Sequence, residues 1–100
     1  MNQNRVVLTG KFVERDPLRF TPAGIPALNF RVAHDSEQQE AGLPRKILLE
    51  IACVALGTAA ESLSRATPEG HYQFEGFLAM RNRHSRQPTF HVTQFEIART

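Results

Sequence analysis

GTAAESLSRATPEG, Gly57–Gly70, differs in kind from the sequence on either side of it. Before and after it the chain is β-branched, aromatic and alternating. Here alanine, serine and a single leucine take over. Thr58 followed by Glu61 has the Thr-x-x-Glu spacing of a helix capping box. The alanines and Leu63 suit a short helix, and Pro68 and Gly70 end it. A single helix at this place among strands is what distinguishes one small barrel topology from another.

Three strand-like segments precede the helix. RVVLTGKFV, Arg5–Val13, is β-branched with Gly10 in its middle, which predicts a bulge or sharp bend. RDPLRFTPAGIP, Arg15–Pro26, holds three prolines and a glycine and reads as a turn-rich connection. LNFRV alternates, with Leu28, Phe30 and Val32 on one face and Asn29 and Arg31 on the other, the pattern of a half-buried strand. HDSEQQEAGLPR, His34–Arg45, is polar and reads as a long loop or extended hairpin tip. KILLEIACVAL, Lys46–Leu56, is a third strand with Ile47, Leu49, Ile51 and Cys53 on one face. Lys46, Leu48 and Glu50 occupy its other face.

Two segments follow the helix: YQFEGFLAM, Tyr72–Met80, with an internal Gly76, and TFHVTQFEI, Thr89–Ile97. Phe12, Phe30, Phe74 and Phe95 fall on core faces by alternation, whereas Phe20 lies in the proline-rich turn. Phe77 and Phe90 read as core packing at the base of a hairpin, with stacking on bases as the alternative. The element order is three strands, a helix, two strands. That is the order of the OB-fold, an all-β, five-stranded Greek-key barrel with one short helix between strands 3 and 4. An SH3-like barrel also has five strands but no helix at that point.

At 100 residues the chain is one domain, 1–100. With 41% hydrophobic and 22% charged residues it has the composition of a folded protein. No apolar run reaches membrane-spanning length, so no membrane association is expected. The start, MNQNRVV, has no charged-then-apolar leader and reads as no secretory signal. Cys53 is the one cysteine, which excludes an internal disulfide and points to a reducing cytoplasm. His34, His71, His84 and His91 lack zinc-ligand spacing. There is no phosphate-binding glycine loop and no His beside Cys53 in sequence. No metal, cofactor or catalytic activity is expected.

The charge is unevenly placed. Formal net charge is only +2, but ten of the twelve basic residues are arginine, and three of them crowd into MRNRHSRQPTF, Met80–Phe90. Arg81, Arg83 and Arg86 stand there with His84, and no acid occurs between Glu75 and Glu96. Arginine suits planar, bidentate phosphate contacts. On an OB-fold this run is the connection between strands four and five, a usual nucleic-acid-contacting element. If it stays extended, Arg81 and Arg83 share a side at about 6.6 Å. Taken alone, the same run reads first as a solvated, disordered hairpin tip; only its place on an OB-fold favours nucleic acid. Arg45 and Lys46, at the start of the third strand, and Arg19, in the first connection, extend the candidate basic surface. The acids Asp35, Glu37 and Glu40 read as a solvated segment.

NRVVLTGKF, TPAGIP (Thr21–Pro26), HDSEQQEAG (His34–Gly42) and EGFLAMR together resemble the primosomal replication protein N family, small bacterial relatives of single-stranded DNA-binding protein. The resemblance spans nearly the whole chain. It implies a non-enzymatic, homodimeric OB-fold that binds single-stranded DNA with little sequence preference. It implies a role in the replication-restart primosome, stabilising the restart helicase on DNA. Some members of the family carry aromatics where this chain has Leu48, on the exposed face of the third strand, and Leu43, in the loop before it. Aromatic platforms are worth about 1–3 kcal/mol per stacked base. The resemblance thus makes Leu48 a candidate base contact and predicts that charge outweighs stacking on that face.

Overall fold

In a computed structural model, residues 2–99 are described. Every alternating apolar segment becomes a strand. The elements are β1 (Val6–Arg15), β2 (Arg19–Phe20), β3 (Pro26–Glu40), β4 (Leu43–Leu56), α1 (Thr58–Arg65), β5 (Tyr72–Met80) and β6 (Pro88–Ile97). The five long strands close into a barrel. β1 pairs antiparallel with β3 and with β5, β5 with β6, and β3 with β4. A short parallel contact, Cys53↔Phe90 and Val54↔His91, joins β4 to β6 and completes the ring. The two-residue β2 pairs only with Ala27 and Pro26 of β3. The expected OB-fold barrel with one helix between its third and fourth long strands is the observed architecture.

Of the two readings of the polar segment 34–45, the extended hairpin is the one observed, not the long loop. The β3–β4 ladder runs unbroken from Ala27↔Leu56 to Glu40↔Leu43. Only Ala41 and Gly42 turn, with φ of 55° and 78°, as a two-residue type I′ hairpin requires. Polar composition left loop and hairpin undecided because an arm projecting past the core has no buried face to mark it with alternation. β1 pairs with β3 no further out than Ala33, and β6 meets β4 only at Cys53 and Val54. The outer half of the hairpin is therefore held by its own ladder.

Both mid-strand glycines mark close approaches. A Cβ on Gly10 would overlap the Ala33 carbonyl, and one on Gly76 would overlap that of His91. The bulge expected at Gly10 lies instead at Val13, where the register slips between Phe12 and Glu14. A second slip sits opposite Gly76 and leaves Thr93 as the extra residue on β6. These are the points at which the small sheet bends to close.

The core holds Leu28, Phe30, Val32, Cys53, Phe74, Phe90 and Val92. Phe12, Phe30, Tyr72, Phe74 and Phe95 meet mostly edge to face, at centroid distances of 5.5–6.1 Å. α1 closes one end by burying Ala60 and Leu63 completely. Its capping differs from the sequence reading. The N-cap is Gly57, Thr58 is already helical, and no side chain caps the first turn. The other end is tied down by Arg15 of β1. Its Nη1 donates to the carbonyls of Leu63 at 2.9 Å and Ala66 at 2.7 Å, while its guanidinium lies 4.9 Å from the Phe12 ring centroid. One arginine thus satisfies two helix-end carbonyls and caps the aromatic cluster. Among the described residues no helix is long and apolar enough to cross a membrane.

Urea unfolding should separate the two ends of α1. Leu63→Ala should cost about 2–5 kcal/mol, as an emptied core site does. Thr58→Ala should change stability by less than about 0.5 kcal/mol, the scale of an ordinary surface change. A loss near 1 kcal/mol would mean that the capping box forms after all.

Candidate nucleic-acid interface

Side chains directly opposite one another across a ladder share a face. On the outside of the barrel this sets Asn29 beside Val54 and Arg31 beside Ala52 on β3 and β4. The parallel contact then sets Val54 beside His91 of β6. The β5–β6 loop, residues 81–87, hangs over this face. Three adjoining depressions result, and Arg81 lines all of them. One also takes in Arg31, Glu50, Ala52 and Arg86. The next takes in Arg19, Asn29, Val54 and His91. The third adds Glu14 and Asp16. Arg19, Arg31, Arg81 and Arg86 therefore share one connected groove.

Arg31 Nε lies 3.6 Å from Glu50 Oε1, both side chains being about half exposed (40% and 53%). An ion pair this open is worth about 0–1 kcal/mol, so Arg31 is readily released to another anion. Cys53 lies under the groove, fully buried. Burial pushes its thiol up to about 12, against a smaller opposing pull from the Arg31 charge.

Comparison with known proteins gives this groove a context. Residues 4–94 match a family described as another single-strand binding protein family. The replication restart protein PriB of Nitrosomonas europaea is 35% identical over 97 residues, 97% of this chain and 90% of the relative. That of Neisseria meningitidis serogroup B is 36% identical and is covered, like this chain, over 96% of its length. The chain belongs to the PriB family of replication restart proteins. Among solved structures, PriB from Ralstonia solanacearum matches with a TM-score of 0.87 at 31% identity, over 98% of this chain and 100% of that one. The single-stranded DNA binding protein from Thermus aquaticus matches at 0.74 over 97% of this chain and 51% of its own, at 19% identity, which is a likeness of fold. This PriB family is the one to which TPAGIP and HDSEQQEAG pointed.

In this PriB-family chain the residues expected at the site divide into three groups. Arg19, Arg81 and Arg86 enter the groove. Arg83 and His84 do not line it. β5 stops at Met80, and Asn82 then turns the chain: its Oδ1 accepts from the His84 N–H at 2.8 Å and its carbonyl accepts from the Ser85 N–H at 3.1 Å. The extended 81–83 geometry is thus absent, and Arg83 stands at the exposed loop tip. Arg45, Lys46 and Leu48 lie out on the β3–β4 arm. Arg45 is ion-paired with Glu40, and Lys46 stands directly across from Glu37. Asp35, Glu37 and Glu40 are all exposed, as a solvated segment would be, and the latter two lie against the arm's basic residues. Leu48 is 71% exposed, opposite Asp35, and borders a different depression with Lys11, His34 and His71.

Sequence reasoning missed Arg31. Its signal was the alternation of LNFRV, which set Arg31 on the polar face with Asn29. It also misplaced Phe77, which is not in the core but 37% exposed and stacked on His91. Among the described residues no three His, Cys, Asp or Glu side chains gather as a metal site.

The buried thiol gives a pH prediction. The folded Cys53 holds its proton above the ordinary thiol value of about 8.5. Its contribution to stability is complete below that pH and is lost as pH rises toward 12. Iodoacetamide at pH 8 should leave native Cys53 unmodified and label it fully in denaturant. Rapid native labelling would contradict the burial.

Proposed function

We propose that this chain binds single-stranded DNA in the Arg19–Arg31–Arg81–Arg86 groove and acts in replication restart as a non-enzymatic accessory protein of the primosome. The observation that carries this reading is the connected groove, in which four arginines from three different parts of the chain converge on one outer face of the barrel. Only folding brings them together, which a merely solvated loop would not need. The names and folds of the relatives support the same reading. With phosphates on the arginines, affinity comes chiefly from charge. The loop tip, Arg83 and His84, approaches the strand from outside, and Arg45, Lys46 and Leu48 contact it where it leaves the groove along the arm. The proposal includes a homodimer, a cytoplasmic setting and the restart helicase as partner.

The exposed arm favours protein docking as a second contribution. Leu43 and Leu48 are 67% and 71% exposed, and β4 has no neighbour on its outer edge before Cys53. An open edge with exposed leucines is suited to pairing with another chain. In this version the chain is mainly an interaction module for the helicase, and its DNA contact is weak. Capture of purified restart helicase should then survive nuclease treatment and weaken with Leu48→Asp. Capture that depends on DNA removes this version.

Binding of a labelled single strand across a salt series tests the groove. Four neutralised phosphates give a log–log slope of about −3. Arg81→Ala should make the slope shallower by about 0.7, one phosphate's share. Arg65→Ala, on the last turn of α1, should leave it unchanged. Glu50→Gln should tighten binding a few-fold by freeing Arg31. Equal slopes for wild type and Arg81→Ala would remove the groove from the site.

A further inference from the structure

The outer face of the barrel carries a feature that charge does not explain. One cross-strand row runs Asn29, Val54, His91, Phe77 through three successive pairings. At its end the rings of His91 and Phe77 lie 5.0 Å apart between centroids and 12° from parallel. This is a stack of two flat side chains on the outside of the molecule, where neither ring fills the core. Phe77 is 37% exposed. His91 shares its depression with Arg19, Val54, Met80 and Arg81, so an aromatic surface lies beside two of the groove's arginines. Of the neighbouring positions, Ala52 and Ala79 are small and half-buried, while Thr89, opposite Ala79, is buried.

We propose that the His91–Phe77 pair is a stacking shelf for a nucleobase of the bound strand, flanked by Arg19 and Arg81 on its phosphates. This rests on the groove being the path of the single strand. A base presents a flat π-face of any sequence, and a ring held in place by another ring loses little side-chain freedom when the base arrives. Leu43 and Leu48 offer no such face and lie away on the arm. The shelf gives this chain a stacking contribution inside the arginine groove.

The test compares binding of the full chain to a dT oligonucleotide and to an abasic strand of equal length, each over a salt series. One base stacked on an aromatic contributes a factor of about 5 to 150 in affinity. Wild type should prefer the dT strand by about fivefold or more. His91→Ala should lose most of that preference while keeping the salt slope and the affinity for the abasic strand. His91→Phe should retain the preference, which a merely structural role of the stack would not require. The chain has no tryptophan, so His91→Trp supplies a single reporter. Its emission should be quenched by the dT strand and not by the abasic one, and this readout stands even if the alanine variant fails to fold. If wild type binds dT with the expected salt slope but the Trp emission is unmoved, or the Ala and Phe variants bind alike, the shelf is overturned and the groove stands. If wild type binds neither strand, the groove itself fails.

Discussion

The parallel contact between β4 and β6 is the constraint on which the rest of this molecule depends. It is only two residue pairs long, Cys53↔Phe90 and Val54↔His91. Without it the chain would be an open sheet with β4 and β6 as edges, and edges invite pairing with other chains. With it, Cys53 and Phe90 turn inward and are completely buried. Val54 and His91 turn outward and become the floor of the groove. The β5–β6 loop, anchored by β6, is carried over Arg31 of β3. Closure and site are consequences of one pairing.

That pairing is affordable because the sheet can bend. At Gly76 a side chain would strike the backbone of β6, and the slip beside it shifts the register of β5 on β6 by one residue. The bend at Val13 does the same between β1 and β3. The helix then closes the open end with Ala60 and Leu63, and Arg15 of β1 holds its last turn. The groove is lined by rigid strands on one side and by a loop on the other. That division suits a ligand which must be held along its length yet be allowed to enter and leave.

Much of this was legible in the sequence where burial imposes a period. LNFRV, KILLEIACVAL and YQFEGFLAM declared their faces because one side of each had to meet the core. The helix declared itself through composition, although its capping box did not form, since Gly57 already turns the chain into the helix and leaves Thr58 inside it. The arm stayed undecided between loop and hairpin because beyond Ala33 no core face remains to enforce alternation. Site residues were harder. Arg81 and Arg86 could be found because they are close in sequence, but Arg31 joins them only through the β3–β4–β6 pairings. Phe77 was misjudged because an aromatic in a strand usually marks the core, whereas its neighbour across the ladder, His91, stands on the outer face.

On the proposed reading, a single strand runs along the outer face between β3, β4 and the β5–β6 loop. Amide chemical-shift mapping with a short dT oligonucleotide tests it most directly. The largest shifts are expected at Arg31, Ala52, Val54, His91 and Arg81 to Arg86, with the hairpin tip at Ala41–Gly42 and helix α1 little moved. Shifts confined to the arm or to the helix, with Arg31, Val54 and His91 unmoved, would contradict it.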